Sequence, residues 1–303
     1  MIAGAEPALA LPWTTSRRAT WIQGIVFTII AGFTVLEHLR APLSTSGLET
    51  LLLLVLIVVF GVPHGALDTV VAHHLYCLRS ATAWAAFVLA YVVLAAAAIG
   101  VWCVWPSGFI LGFAVISLYH FSGDPDGDAP WSLRLLYGGL IIALPALMFA
   151  PDVAQLLATL VPAPAATTAA AALRWLAGPW LLAALLVAAR HRRRNAAASR
   201  EMLAVALLAL LVPPLWSFTI FFCFMHSARH VLRLQGSWDH VGWRSLVRAA
   251  TLPFLATGLA LGVGWQLLPG PSTTMRAVQL VFVALAALTV PHMLLVERLR
   301  RSP

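Results

Sequence analysis

The chain is written largely in apolar runs of about twenty residues, the length an α-helix needs to cross the hydrocarbon core of a bilayer. Candidate segments are 20–38, 48–67, 82–104, 108–122, 132–150, 169–190, 200–215, 216–234, 249–268 and 275–297. Composition excludes a soluble globule: the 303 residues are 61% hydrophobic and 10% charged, where soluble domains carry roughly 25% charged residues. The expected fold is all-α, a polytopic transmembrane bundle of about 8–10 helices that forms a single integral-membrane domain over 1–303.

Three stretches are less regular. Segment 108–122 is short. The run 200–234 is too long for one helix and is broken at Pro213-Pro214, because proline removes a backbone donor and clashes with the preceding turn. The stretch 151–168, rich in Ala, Pro and Thr, reads as a loop or a re-entrant piece. Charge placement arbitrates. Arginines cluster at Arg17 and Arg18, at Arg190-His191-Arg192-Arg193-Arg194 with Arg200, over 233–248, and at Arg298, Arg300 and Arg301. The positive-inside rule assigns all of these to the cytoplasm. Ten crossings of the cell's inner membrane, with both termini cytoplasmic, satisfy it if 200–234 is two segments. Arg17 and Arg18 precede an apolar run that continues to Leu36 without a small-residue cleavage site, so the first segment is expected to stay as a helix.

The 19 basic residues are all arginine. Without a lysine amine there is no retinylidene or pyridoxal Schiff base. The 3 cysteines, Cys77, Cys103 and Cys223, are scattered and suggest neither disulfides nor a thiolate metal site. No Gly-rich phosphate loop and no nucleic-acid motif occurs; the arginine loops read as topology signals.

Five of the 10 histidines sit in or at the ends of apolar runs: His64, His120, His226, His230 and His292. Ionisable groups at membrane depth are costly and usually mark a site. His226 and His230 are four residues apart, which puts both imidazoles on one helical face. His64 is followed at +4 by Asp68 and His120 by Asp124. A helical carboxylate there would lie on the face of its histidine, where it could accept a ring N–H and aim the other nitrogen at a metal. Pro63-His64 and Pro291-His292 repeat one device, a proline just before a histidine. Imidazole suits Zn, Cu, Fe and Ni; an all-histidine site with open positions suits iron and oxygen, and a tetrahedral zinc hydrolase fits the same ligands. One His-x-x-x-His box argues for one metal. His38, His73, His74, His191 and His240 read as surface or interfacial residues. Tyr119, Phe121, Trp216, Phe218, Phe221, Phe222 and Phe224 flank the histidines, as packing or as the lining of an apolar tunnel. Arg229 points to a carboxylate elsewhere or to lipid phosphate. A histidine-based membrane transporter or metal carrier would use the same residues.

The motifs Pro-His-Gly-Ala-Leu-Asp at 63–68, Tyr-His-Phe at 119–121 leading to Asp124, His-Ser-Ala-Arg-His at 226–230 and Pro-His-Met-Leu-Leu-Val-Glu at 291–297 resemble the Brp/Blh family of membrane β-carotene 15,15′-dioxygenases, from about residue 50 to 300. The resemblance implies cleavage of β-carotene or a related carotenoid at its central double bond with O₂, giving retinal. It implies Fe(II) held by His64, His120, His226 and His230, with His292 as a further ligand or a supporting group, and Asp68 and Asp124 steadying the histidines. The substrate would come from the bilayer lipid. Two positions depart from the family pattern: Thr69 stands where a histidine is frequent, and Gly123-Asp124-Pro125-Asp126 stands where Gly-Glu-x-Asp is usual. A non-catalytic carotenoid-binding homologue is the corresponding alternative.

Overall fold

The computed structural model describes residues 17–43, 45–125, 128–237, 242–268 and 272–301. His240 and Asp126 lie outside the described residues. Eleven helices, and no strand, occur among the described residues: α1 Arg17–Arg40, α2 Gly47–Tyr76, α3 Ala81–Val104, α4 Pro106–Phe121, α5 Trp131–Met148, α6 Ala150–Ala158, α7 Ala163–His191, α8 Ala196–Leu211, α9 over 214–237, α10 Trp243–Leu267 and α11 Thr273–Arg301. Seven are long and apolar enough to cross a membrane: α1, α2, α3, α5, α7, α10 and α11. The protein is a multi-pass membrane helix bundle.

The break at the proline pair is real in the backbone. Helix α8 ends at Leu211, Val212 is extended, and α9 starts with Pro214 at its first position, where the missing N–H costs nothing. Two expectations need correction. Residues 151–168 are mostly helical, not a loop: they supply most of α6 and the first turns of α7, joined by a turn at 159–162, since Pro151 and Pro164 sit in first turns where proline is tolerated. The second segment does not stop at residue 67 but runs on to Tyr76, so His73 and His74 are its last turns. Cys77, in the left-handed region at φ 49°, terminates it.

Helices α5, α8 and α9 form the centre of the bundle, where Leu133, Tyr137, Leu140, Val205, Leu208, Phe221 and Met225 are fully buried. Small residues set the spacing between α7 and α8: Ala177, Ala184, Ala188, Ala198 and Ala209 are all buried. Between membrane helices such residues allow close backbone approach, which is how packing is gained where lipid is as apolar as leucine. Helix α3 buries none of its residues fully and stands at the periphery against α4 and α11.

Two helices are locally widened. Residues Ile57–Gly61 of α2 and Phe221–Ser227 of α9 are π-helical, a winding that gathers at functional sites. The two wide segments pack on each other. Gly61 makes this possible, because a Cβ there would stand 2.2 Å from the Phe222 ring. Gly138 plays the same part between α5 and the end of α4, where a Cβ would stand 2.2 Å from the Leu118 carbonyl oxygen.

Candidate metal centre

Five histidines from four helices converge in the bundle: His64 from α2, His120 from the last turn of α4, His226 and His230 from α9, and His292 from α11. All five are buried. The His64 ring centroid lies 5.2 Å from His226, 5.6 Å from His230, 5.2 Å from His292 and 6.4 Å from His120. His120 is 4.3 Å from His226 and 5.0 Å from His292, and His230 is 5.2 Å from His292. The tightest set is His64, His120 and His292, whose candidate ligand atoms all lie within 4.8 Å of one another.

The outward nitrogens are fixed by protein groups. His64 Nδ1 donates to the Gly61 carbonyl, with Ser227 Oγ 3.1 Å from the same nitrogen. His226 Nδ1 donates to Asp124 Oδ1 at 2.9 Å, and His292 Nδ1 to Asp68 Oδ1 at 2.8 Å. These contacts set the tautomer and turn the opposite nitrogen inward. Each carboxylate therefore serves a histidine on another helix, not the one four residues before it. Helical spacing puts Asp68 near His64 in sequence, but α2 turns at Leu67 and Asp124 lies beyond the end of α4, so the single-helix geometry does not apply. Asp68 takes a second hydrogen bond, from the Tyr91 hydroxyl of α3 to Oδ2 at 2.9 Å.

The inward atoms are what a metal would use. His120 Nδ1 and the Nε2 atoms of His226, His230 and His292 are buried without a hydrogen-bond partner. Buried polar atoms are nearly always paired, and four orphaned imidazole nitrogens in one small cluster of rings fit a borderline-soft divalent cation. The surroundings are apolar. Phe121 meets the His226 ring edge-on at 4.9 Å, and Phe222 lies 5.4 Å from His64 and stacks on His226 at 5.7 Å.

A buried ion pair supports the centre from one side. Arg229 is 2% exposed. Its guanidinium forms a two-pronged pair with Glu201 of α8, both contacts at 2.8 Å, and donates to Gln23 Oε1 of α1 at 2.8 Å. Arg229 and Arg233 also donate to the Asp124 carbonyl, at 3.1 and 2.6 Å, so the loop carrying Asp124 is clamped by the helix carrying its histidine partner. Arg229 thus finds a carboxylate and not lipid. Sequence reading missed Glu201, Gln23 and Tyr91; a lone glutamate early in an apolar run was the signal for the first.

A family model described as beta-carotene 15,15′-dioxygenase matches residues 55–300. The chain belongs to the β-carotene 15,15′-dioxygenase family. The family match takes in all five histidines and both aspartates. The beta-carotene 15,15′-dioxygenase of uncultured marine bacterium 66A03 is 28% identical over 255 residues, covering 80% of this chain and 91% of that protein. The probable beta-carotene 15,15′-dioxygenase Blh of Halobacterium salinarum is 28% identical over 338 residues, covering 98% of this chain and 93% of that protein. No solved structure matches the chain.

Proposed function

We propose that the protein is an integral-membrane iron oxygenase that cleaves β-carotene or a close relative at the central double bond with O₂ to give retinal. The observation that carries this reading is the set of orphaned imidazole nitrogens at the centre of an apolar bundle in a chain of this family. His64, His120, His226, His230 and His292 would hold Fe(II). Fe(II) with histidine ligands and open positions supplies the O₂ chemistry that no side chain offers. The chain's own residues do the rest. Asp68 and Asp124 keep the protons of His292 and His226 on Nδ1. Phe121 and Phe222 exclude water beside the histidines, which protects reactive oxygen species from side reactions. An apolar groove lined by Val58, Val62, Leu261, Val281, Leu285 and Leu288 lies between α2, α10 and α11. Leu288 is one helical turn before His292 and Val62 two residues before His64, so this small groove, about 230 Å³ in volume, lies beside the turns that carry two of the histidines.

Expression in a bacterial host that makes β-carotene is the test. Retinal should accumulate as the orange colour fades. Unchanged carotene beside iron-loaded protein would reject the substrate, and apocarotenals of unequal length would reject central cleavage alone. Asp68→Asn is expected to keep part of the iron and to lose about 10–100-fold in affinity or turnover, measured on purified protein by iron content and retinal formation; iron loss as complete as in a histidine variant would make Asp68 a ligand.

The arginine clusters support an inner-membrane location with both termini in the cytoplasm. Reporter fusions at each end should be active on the cytoplasmic side only, and opposite locations for the two ends would reject it.

A further inference from the structure

Tyr91 ties the peripheral helix α3 to the metal centre through a polar contact. Its hydroxyl donates to Asp68 Oδ2 at 2.9 Å, and Asp68 Oδ1 accepts from His292 Nδ1 at 2.8 Å. The three groups form a continuous chain that ends on the unpartnered His292 Nε2. Asp68 is 2% exposed, so water contributes little to its solvation, and Tyr91 supplies a second donor that a buried carboxylate needs. With Oδ2 engaged, the carboxylate plane is fixed and Oδ1 is left facing His292. The Tyr91 ring is itself held. It sits 5.9 Å from Phe87, which meets Trp84 edge-on at 6.1 Å, and Trp84 stacks within 8° of parallel on His73. Residues 84, 87 and 91 lie one turn apart on one face of α3, and that face is turned to α2 and α11.

We propose that Tyr91 is a positioning residue of the metal centre: its hydroxyl aims Asp68, and Asp68 aims His292. The proposal rests on the reading of the histidine cluster as a metal site. A hydroxyl that merely pinned α3 to the bundle would shift the melting temperature of the protein and leave the metal's surroundings unchanged. The difference is measurable without turnover.

Cobalt(II) is the probe, since its visible d–d bands report ligand geometry. The full chain is purified in detergent, and its cobalt affinity is measured by competition with a chelator. Tyr91→Phe removes one oxygen and keeps the ring against Phe87. It should bind cobalt about 10-fold more weakly, with altered d–d bands. Tyr76→Phe, the same change at an exposed tyrosine, should match the parent. In an Asp68→Asn background the added Tyr91→Phe change should cost much less than it does alone, as expected for groups acting in series. Equal affinity and identical bands in Tyr91→Phe would overturn the proposal, and so would full additivity with Asp68→Asn. A parent protein that takes up no cobalt would instead reject the metal site, and this inference with it.

Discussion

His292→Ala is expected to abolish retinal formation and to leave the purified protein without iron. His292 belongs to the tightest set of candidate ligands, with His64 and His120, and its ring is within 5.2 Å of three other histidines. Its Nε2 has no other partner, and its Nδ1 is committed to Asp68. Removing this imidazole takes a nitrogen from the site and leaves Asp68 Oδ1 without its partner, with only Oδ2 still held by Tyr91. His226→Ala and His230→Ala are expected to empty the site too, because α9 directs both rings into the same volume. His191→Ala, in the arginine loop far along the sequence from every motif, should keep iron and activity. Iron content and turnover at matched expression decide the matter. Full iron in His292→Ala would remove His292 from the ligand set, and iron retained in both α9 variants but lost from His292→Ala would confine the ligands to His64, His120 and His292.

Glu201→Ala is expected to be the most damaging change outside the histidines. Removing one partner of a buried ion pair leaves an uncompensated charge and costs about 3–5 kcal/mol. Here the stranded group is Arg229, 2% exposed and enclosed by α1, α8 and α9. The protein should lose most of its thermal stability in detergent and accumulate poorly in the membrane. The double variant Glu201→Leu with Arg229→Met separates stability from function. Replacing a buried pair by apolar residues is often neutral, so the melting temperature should recover. Activity should recover only in part, because a methionine side chain cannot replace the 3.1 Å bond from Arg229 to the Asp124 carbonyl, while Arg233 keeps its own at 2.6 Å. A Glu201→Ala protein as stable as the parent would show that the pair carries no such weight.

The histidines were legible because of their background. In a chain with so few polar residues inside its apolar runs, each imidazole is conspicuous, and the cost of placing it there implies a use. The break between α8 and α9 was legible from Pro213-Pro214 for an equally local reason. The pairing of Asp68 with His292 and of Asp124 with His226 was not. Helical periodicity says which face a residue occupies, but the partner is chosen by how α2, α9, α11 and the loop after α4 come together, which spacing does not contain. Tyr91 was hidden for the same reason. Its helix is apolar on all sides, so nothing in the pattern distinguishes the face turned to α2. Glu201 was within reach: a fully buried arginine at 229 needs an anion, and few carboxylates lie inside the apolar runs.

The π-helical turns of Ile57–Gly61 and Phe221–Ser227 make the length of these helices part of the site. A wide turn is equivalent to one residue inserted into an ordinary helix. Deleting a single residue there would let the segment rewind to regular α-helix and rotate everything beyond it by about 100°. In α2 that swing would carry His64 and Asp68 off the face that meets α9 and α11 while leaving the helix as apolar and as long-spanning as before. In α9 it would do the same to His230. Away from Gly61, these two helices absorb apolar substitutions more readily than gains and losses of single residues. Relatives that share the centre must therefore conserve a count of residues across these turns, even where they share few of the residues themselves.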